Sequence, residues 1–108
     1  MSIVTTGTDR TIAAADCHDM PTLRGQIDRV DRALLKLIGE RTTYIARAAV
    51  LKGDRNTVHD QARIEDVVQK VKSRASSEGV PPALAEAVWR ELIAQSIAFE
   101  FEEFDAKG

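Results

Sequence analysis

The feature that most restricts the fold of this chain is an apolar periodicity that continues for about 30 residues. Apolar residues recur mostly at alternating spacings of four and three, with one interruption at Arg41: Leu23, Ile27, Val30, Leu34, Leu37 or Ile38, Ile45 and Ala48. This period predicts one helix that runs to about Lys52. At 1.5 Å per residue such a helix is roughly 45 Å long, which exceeds the width of a compact domain of this size.

The remaining sequence predicts two shorter helices, at about residues 59–76 and 82–104. Asp19 is a suitable N-cap for the first helix, and Gly53 and Gly79 are predicted to end the first and second helices. Aromatic residues make up only 5% of the 108 residues, which favours helices over a sandwich or barrel. The predicted fold class is therefore all-α, with three helices per chain.

Two short helices cannot cover the apolar stripe of a much longer one. The stripe would stay partly exposed in a monomer, and large exposed apolar surfaces mark interfaces. We therefore predict an intertwined homodimer in which the long first helices cover one another.

The composition excludes several classes of partner. There are 15 Lys and Arg against 17 Asp and Glu, so no overall positive field attracts nucleic acid or an anionic membrane. Cys17 is the only cysteine, which excludes an intramolecular disulfide and a cysteine-based zinc site, and the isolated His18 and His59 do not suggest a metal site. With no apolar run typical of a signal peptide or membrane span, we expect a cytoplasmic protein. Residues 1–18 are predicted to form a flexible arm, and residues 19–108 a helical domain.

Charged residues interrupt the apolar stripes at regular positions. Arg41 and Lys52 are eleven residues apart, so on a helix they lie within about 20° of each other and about 16 Å apart along the axis. Their side chains can converge on one ligand over a floor of Ile45 and Ala48. Arg24 lies about 25 Å before Arg41, so it cannot readily join the pocket of its own chain but could join that of a partner chain.

Further polar residues follow in the other helices. The third helix has an apolar stripe that ends in Ser96 and Glu100, and Asp60 in the second helix is placed to orient Arg63. An arginine on an apolar stripe is more often an interhelical ion pair, and Asp60 with Arg63 can be a simple surface pair. Several cations on half-buried stripes of a small helical dimer nevertheless favour a ligand with two negative charges.

The first helix also carries an extended motif, followed by Lys52 eleven residues later: Leu23-Arg24-x-x-Ile27-Asp28-x-x-Asp31-x-x-Leu34-Leu35-x-Leu37-Ile38-x-Glu40-Arg41. This motif resembles the first helix of the all-helical, AroQ-class chorismate mutases, and the resemblance covers about residues 19–104. The pair Asp16-Cys17 and the run Tyr44-Ile45-x-x-Ala48 also resemble the related isochorismate pyruvate lyases.

The resemblance implies a set of substrate contacts. Arg41, Lys52 and Arg63 of one chain, with Arg24 of the partner chain, would hold the two carboxylates of chorismate, and Lys52 would also reach the ether oxygen. The expected contacts further include Asp60, Ile64 and Ser96. Such enzymes use no cofactor and no covalent step; they select one conformer and stabilise the charge that develops as the C–O bond breaks.

The sequence departs from the family pattern at two positions. Chorismate mutases commonly have Glu after the motif arginine, where this chain has Ile64, and commonly have Gln where this chain has Glu100. A carboxylate would repel the developing negative charge, so the hypothesis requires a protonated Glu100 in the working enzyme. Activity should then fall as the pH rises.

The first interpretation is a chorismate mutase that makes prephenate for aromatic amino-acid biosynthesis. The alternatives are an isochorismate pyruvate lyase, which gives salicylate and pyruvate, and a mutase of 4-amino-4-deoxychorismate. All three substrates offer two carboxylates and an enol-pyruvyl ether. A non-enzymatic alternative is a helical dimerisation or regulatory module whose cations form interhelical salt bridges.

Overall fold

The computed structural model describes residues 10–107, and within them the chain is helical and contains no β-strand. Three α-helices follow one another: α1 at Met20–Leu51, α2 at Gln61–Ala75 and α3 at Pro82–Ala106. Single turns of 3-10 helix lie at Ala14–Asp16, Arg55–Thr57 and Ser76–Glu78. The predicted all-α class with a long first helix is therefore confirmed.

Most helix ends follow from local sequence chemistry. The carboxylate of Asp19 accepts a hydrogen bond from the backbone N–H of Thr22 at 2.8 Å, which caps the first turn of α1. Pro82 opens α3, where the missing N–H has no cost. Gly79 has a φ of 76°, and this left-handed conformation ends the turn that follows α2.

The chain divides into two compact units, residues 1–41 and 42–108, and each is described by itself. In the first unit, buried Gln26 connects α1 to the segment before it. Its Nε2 donates to the carbonyl oxygen of Arg10 at 2.6 Å, and its Oε1 accepts from the backbone N–H of Ile12 at 3.1 Å. Of the predicted flexible arm, residues 1–9 lie outside the described residues, and the domain boundary at residue 18 stays a prediction.

In the second unit, α2 packs against α3. The buried residues of this unit come from α2, α3, the end of α1 and the following loop: Ala49, Val58, Val68, Ala75, Ala85, Ile93 and Glu100. At the edge of the contact, the guanidinium of Arg90 on α3 donates to both carboxylate oxygens of Glu65 on α2, at 2.9 and 2.8 Å. Glu86 on α3 also joins the two helices, because it pairs with Lys72 on α2 as well as with Arg90 on its own helix.

The α1 helix keeps much of its apolar surface in contact with solvent. Leu35 is 70% exposed and Leu37 is 62% exposed, and Ile27, Val30 and Leu34 on the periodic stripe are each between 44% and 49% exposed. None of the described helices is long and apolar enough to cross a membrane. The exposed stripe on α1 is thus a feature of a charged, amphipathic helix.

Candidate active site

Lys52 and Glu100 form the centre of the candidate site in the second unit. Lys52 directly follows the last residue of α1, and its backbone N–H still donates to the carbonyl oxygen of Ala48 at 3.0 Å. Its Nζ lies 2.7 Å from Oε2 of Glu100 on α3. The end of the first helix and the last third of the third helix therefore bring together an ammonium and a carboxyl group that the sequence analysis assigned to one site.

Glu100 is unusual because it is a carboxyl group on a buried face of a helix. The residue is 4% exposed, and Oε2 accepts no hydrogen bond of suitable geometry from any described residue, so the contact with Lys52 is an ion-pair contact only. A buried polar atom without a hydrogen bond costs on the order of 1–3 kcal/mol. Such an oxygen is suited to meet a polar group of a ligand.

Ser96 lies one turn before Glu100 on the same face of α3. Its side chain is half-buried, and its Oγ donates to the carbonyl oxygen of Leu92 at 2.7 Å. Ser96 and Glu100 thus place a hydroxyl and a carboxyl group on consecutive turns.

The start of α2 holds three of the predicted site residues. Asp60 is the N-cap, and its carboxylate accepts from the backbone N–H of Arg63 at 3.1 Å. The guanidinium of Arg63 pairs instead with Asp66 at 3.3 Å, so Asp60 does not orient the arginine side chain as the sequence suggested. The N-cap hydrogen bond is the more favourable use of the Asp60 carboxylate, because it satisfies an otherwise unpaired N–H group of the helix. Ile64 follows Arg63 and is half-buried.

The two remaining predicted residues, Arg24 and Arg41, lie on α1 in the first unit. Arg24 is exposed and Arg41 is half-buried. The described residues contain no group of three or more His, Cys, Asp or Glu side chains that could hold a metal ion. In the second unit, Lys52 and Glu100 are therefore the two predicted site residues, distant in the sequence, whose side chains the fold brings into direct contact.

The residue that caps the end of α1 was not predicted from the sequence. Nζ of Lys107 donates to the carbonyl oxygens of Ala49 at 2.8 Å, Val50 at 3.4 Å and Lys52 at 2.6 Å. The helix ends two residues before Gly53, close to the predicted stop, although Gly79 is the one described glycine with a positive φ. The capping role of Lys107 could not be predicted, because this lysine comes from the end of another helix.

A second contact holds the loop after Lys52 to the same end of α3. Arg55 donates to both carboxylate oxygens of Asp105, at 2.9 and 3.3 Å, and its guanidinium lies 4.5 Å from the centre of the Phe101 ring. The hydrogen bonds from Arg55 lower the pKa of Asp105, and the same pair raises the pKa of Arg55. Both groups therefore stay charged over the neutral pH range.

Comparison with known proteins identifies the family of the chain. The family of chorismate mutase type II matches residues 23–101, which is most of the chain and includes α2 and nearly all of α1 and α3. The chain therefore belongs to the chorismate mutase type II family. It is also similar to the T-protein of Enterobacter agglomerans, with 31% identity over 83 residues. That match covers 76% of this chain but only 22% of the T-protein, so the chain corresponds to a small part of that relative.

Proposed function

We propose that this protein rearranges chorismate to prephenate without a cofactor, in the biosynthesis of aromatic amino acids. The observation that carries the proposal is the 2.7 Å contact between Nζ of Lys52 and Oε2 of Glu100. The family resemblance assigns these two positions to the ether oxygen of the substrate. Membership of the chorismate mutase type II family over residues 23–101 supports the reaction class.

Lys52 supplies the positive charge that the reaction needs. As the C–O bond of chorismate breaks, negative charge develops on the ether oxygen, and a fixed N–H donor at that point stabilises the transition state more than the ground state. The ammonium has three N–H donors, and its contact with Glu100 is an ion-pair contact. These donors would serve the ether oxygen and a substrate carboxylate.

Glu100 must carry a proton to act together with Lys52. An ionised carboxylate at 2.7 Å would cancel the charge of Lys52 and repel the ether oxygen as it becomes negative. A protonated carboxyl group instead donates an O–H to that oxygen. The burial of Glu100 keeps this carboxyl group out of water, where a hydrogen bond to the ether oxygen is stronger than in solvent.

Cations complete the proposed pocket. Arg41 and Arg63 of one chain, with Arg24 of the partner chain, would bind the substrate carboxylates, together with polar contacts from Asp60 and Ser96. The ion pair of Arg63 with Asp66 does not oppose this, since both side chains are at least half exposed, and such pairs are weak. Exchange of Asp66 for a substrate carboxylate therefore costs little.

A homodimer with shared active sites is part of the proposal. The half-exposed stripe of Ile27, Val30 and Leu34 on α1, together with the more exposed Leu35 and Leu37, is apolar surface that association would remove from water. A second copy of the same helix is the complementary partner, because it carries the same stripe at the same spacing. Pairing of α1 helices would also bring Arg24 of the partner chain to the pocket.

Ile64 supports isochorismate pyruvate lyase activity as a second candidate function. It is half-buried at the first turn of α2, where the resemblance assigns a glutamate that binds the ring hydroxyl of chorismate. An apolar residue there removes that acceptor, so the chain loses one means of preferring chorismate. A mutase of 4-amino-4-deoxychorismate and a non-enzymatic dimerisation module are the remaining alternatives.

One assay separates these functions. The purified protein is incubated separately with chorismate, isochorismate and 4-amino-4-deoxychorismate, and the products are identified by chromatography. The proposal expects prephenate from chorismate as the fastest conversion. Salicylate and pyruvate from isochorismate as the faster reaction would establish the lyase instead, and no conversion of any substrate would favour the dimerisation module.

A further inference from the structure

Lys52 occupies a position where a side chain is usually poorly fixed. It lies immediately after the last residue of α1, where the final backbone carbonyls of a helix lack partners and the end commonly frays. A group that acts at the transition state has to be held within about 0.5 Å of its working position. Something outside α1 must therefore stabilise this helix end.

The ammonium of Lys107 meets this need with three hydrogen bonds. It donates to the carbonyl oxygens of Ala49, Val50 and Lys52 at distances of 2.8, 3.4 and 2.6 Å, so each of its N–H donors has an acceptor. A cation at the C-terminus of a helix also interacts favourably with the helix dipole. The shortest of the three bonds is the one to Lys52 itself.

The same face of α3 contacts both ends of Lys52. Glu100 and Lys107 are seven residues apart, which places them within about 20° of each other and roughly 10 Å apart along α3. Glu100 contacts Nζ of Lys52, and Lys107 binds its backbone carbonyl oxygen. Phe104 lies between them in the sequence, and the centre of its ring is 4.1 Å from Nζ of Lys107. Lys52 is thus held at its side-chain end and at its main-chain end by one helix.

We propose that Lys107 is a positioning residue for Lys52: by binding the last carbonyl oxygens of α1, it fixes the main chain from which the catalytic ammonium extends toward Glu100. This inference rests on the proposed function of Lys52. The Arg55 contact with Asp105 is consistent with it, because this side-chain pair joins the loop three residues after Lys52 to the same turn of α3.

Kinetics of three variants test the proposal. Lys107→Met removes the donors and the charge, Lys107→Arg keeps both, and Lys70→Met is a matched control that removes a lysine from a surface pair with Asp66 on α2. We expect Lys107→Met to lower kcat about tenfold, because a misplaced catalytic group loses transition-state contacts, while KM changes by less than about twofold. Lys107→Arg should recover most of kcat, and Lys70→Met should match the wild type.

A double-variant cycle shows whether Lys107 acts through Lys52. In a Lys52→Met background, addition of Lys107→Met should cause little further loss, because the group being positioned is already absent. A merely structural role for Lys107 predicts the same tenfold loss in both backgrounds. That result, or an unchanged kcat in Lys107→Met, would overturn the proposal.

A measurement independent of turnover keeps this test separate from the function assay. In carbon–proton NMR spectra, the two Hε protons of Lys52 should be distinct in the wild type and in Lys70→Met, and should become equivalent in Lys107→Met as the side chain loses its fixed position. Distinct protons in a folded Lys107→Met would overturn the positioning role even if no substrate is converted. If Lys107→Met does not fold, Lys107→Gln replaces it, with the same expected loss of distinct signals.

Discussion

Nζ of Lys52 and Oε2 of Glu100 lie 2.7 Å apart, and the carboxyl group of this pair is the buried member. An ammonium beside a carboxyl group can either be neutralised by it or share a ligand with it. The proposed function requires the second arrangement, in which both groups donate a hydrogen bond to the ether oxygen, and substitution of Glu100 tests it.

We predict that Glu100→Gln keeps most of kcat/KM for chorismate, because the amide keeps the size of the side chain and donates an N–H where the proposed carboxyl group donates an O–H. Glu100→Leu, which has no donor, should lower kcat/KM about 100-fold. The measurement is the initial rate at subsaturating substrate. Equal losses in the two variants would show that Glu100 does not act as a hydrogen-bond donor.

Lys52→Met is expected to lower kcat at least about 100-fold, which is the usual loss for a donor to developing negative charge. Sedimentation should show that the assembly of the variant is unchanged, since the lost interaction is with the substrate. Arg41→Met should behave similarly, with a larger effect on KM. If both variants instead dissociate the assembly, their cations serve as interhelical salt bridges and the non-enzymatic alternative gains support.

Leu34→Glu should prevent the proposed dimer, because two carboxylates would be placed in an apolar interface without partners. We expect sedimentation to give a dimer for the wild type and a monomer for the variant, with association weakened at least about tenfold. Lys36→Glu is the control, since it adds the same residue on the opposite side of α1. A wild-type monomer with full activity would contradict the shared site.

The contacts of Arg90 are predicted to make the free energy of unfolding of the second unit depend on pH in the acid range. Its hydrogen bonds lower the pKa values of Glu65 and Glu86 below their ordinary value of 4.5. Because these pKa values are lower in the folded protein than in the unfolded chain, ionisation of the two carboxyl groups stabilises the fold at pH values above 4.5. This contribution is lost as the pH falls through the folded pKa values. Urea unfolding at several pH values between about 6 and 3 should therefore depend less on pH in Arg90→Met.

The control for this experiment is Arg74→Met, which removes the same charge from an exposed position near the end of α2. Its acid dependence should follow that of the wild type. An equal reduction in both variants would mean that overall charge, and not the contact with Glu65 and Glu86, sets the dependence.

Ile64→Glu is expected to raise kcat/KM for chorismate about tenfold, because it restores an acceptor for the ring hydroxyl. Ile64→Gln, which has a similar size but no charge, should give a smaller gain. Turnover of isochorismate should not rise in parallel. If neither substrate responds, the start of α2 does not contact the ring substituent.

The helices were largely predictable because their determinants are local. The apolar period and the cap at Asp19 define α1, and Pro82 defines the start of α3. The partner predicted for the Arg63 side chain was wrong. The carboxylate of Asp60 accepts from the backbone N–H of Arg63, and the guanidinium pairs with Asp66 instead.

The contacts around the end of α1 could not be predicted for a different reason. Lys107 and Lys52 are joined only after α3 has packed against the end of α1, and no spacing in the sequence encodes such a contact. The roles of Lys52, Glu100 and the arginines in catalysis stay predictions, which the experiments above test.

The exposed stripe of α1 also affects how the protein behaves on dilution. If the first helix acquires its apolar cover only from a second copy, the free energy of unfolding includes a term that grows with the logarithm of protein concentration. Thermal stability and specific activity should then decline together as the solution is diluted. Mass action would in this way connect the amount of the enzyme in a cell to the activity of each molecule.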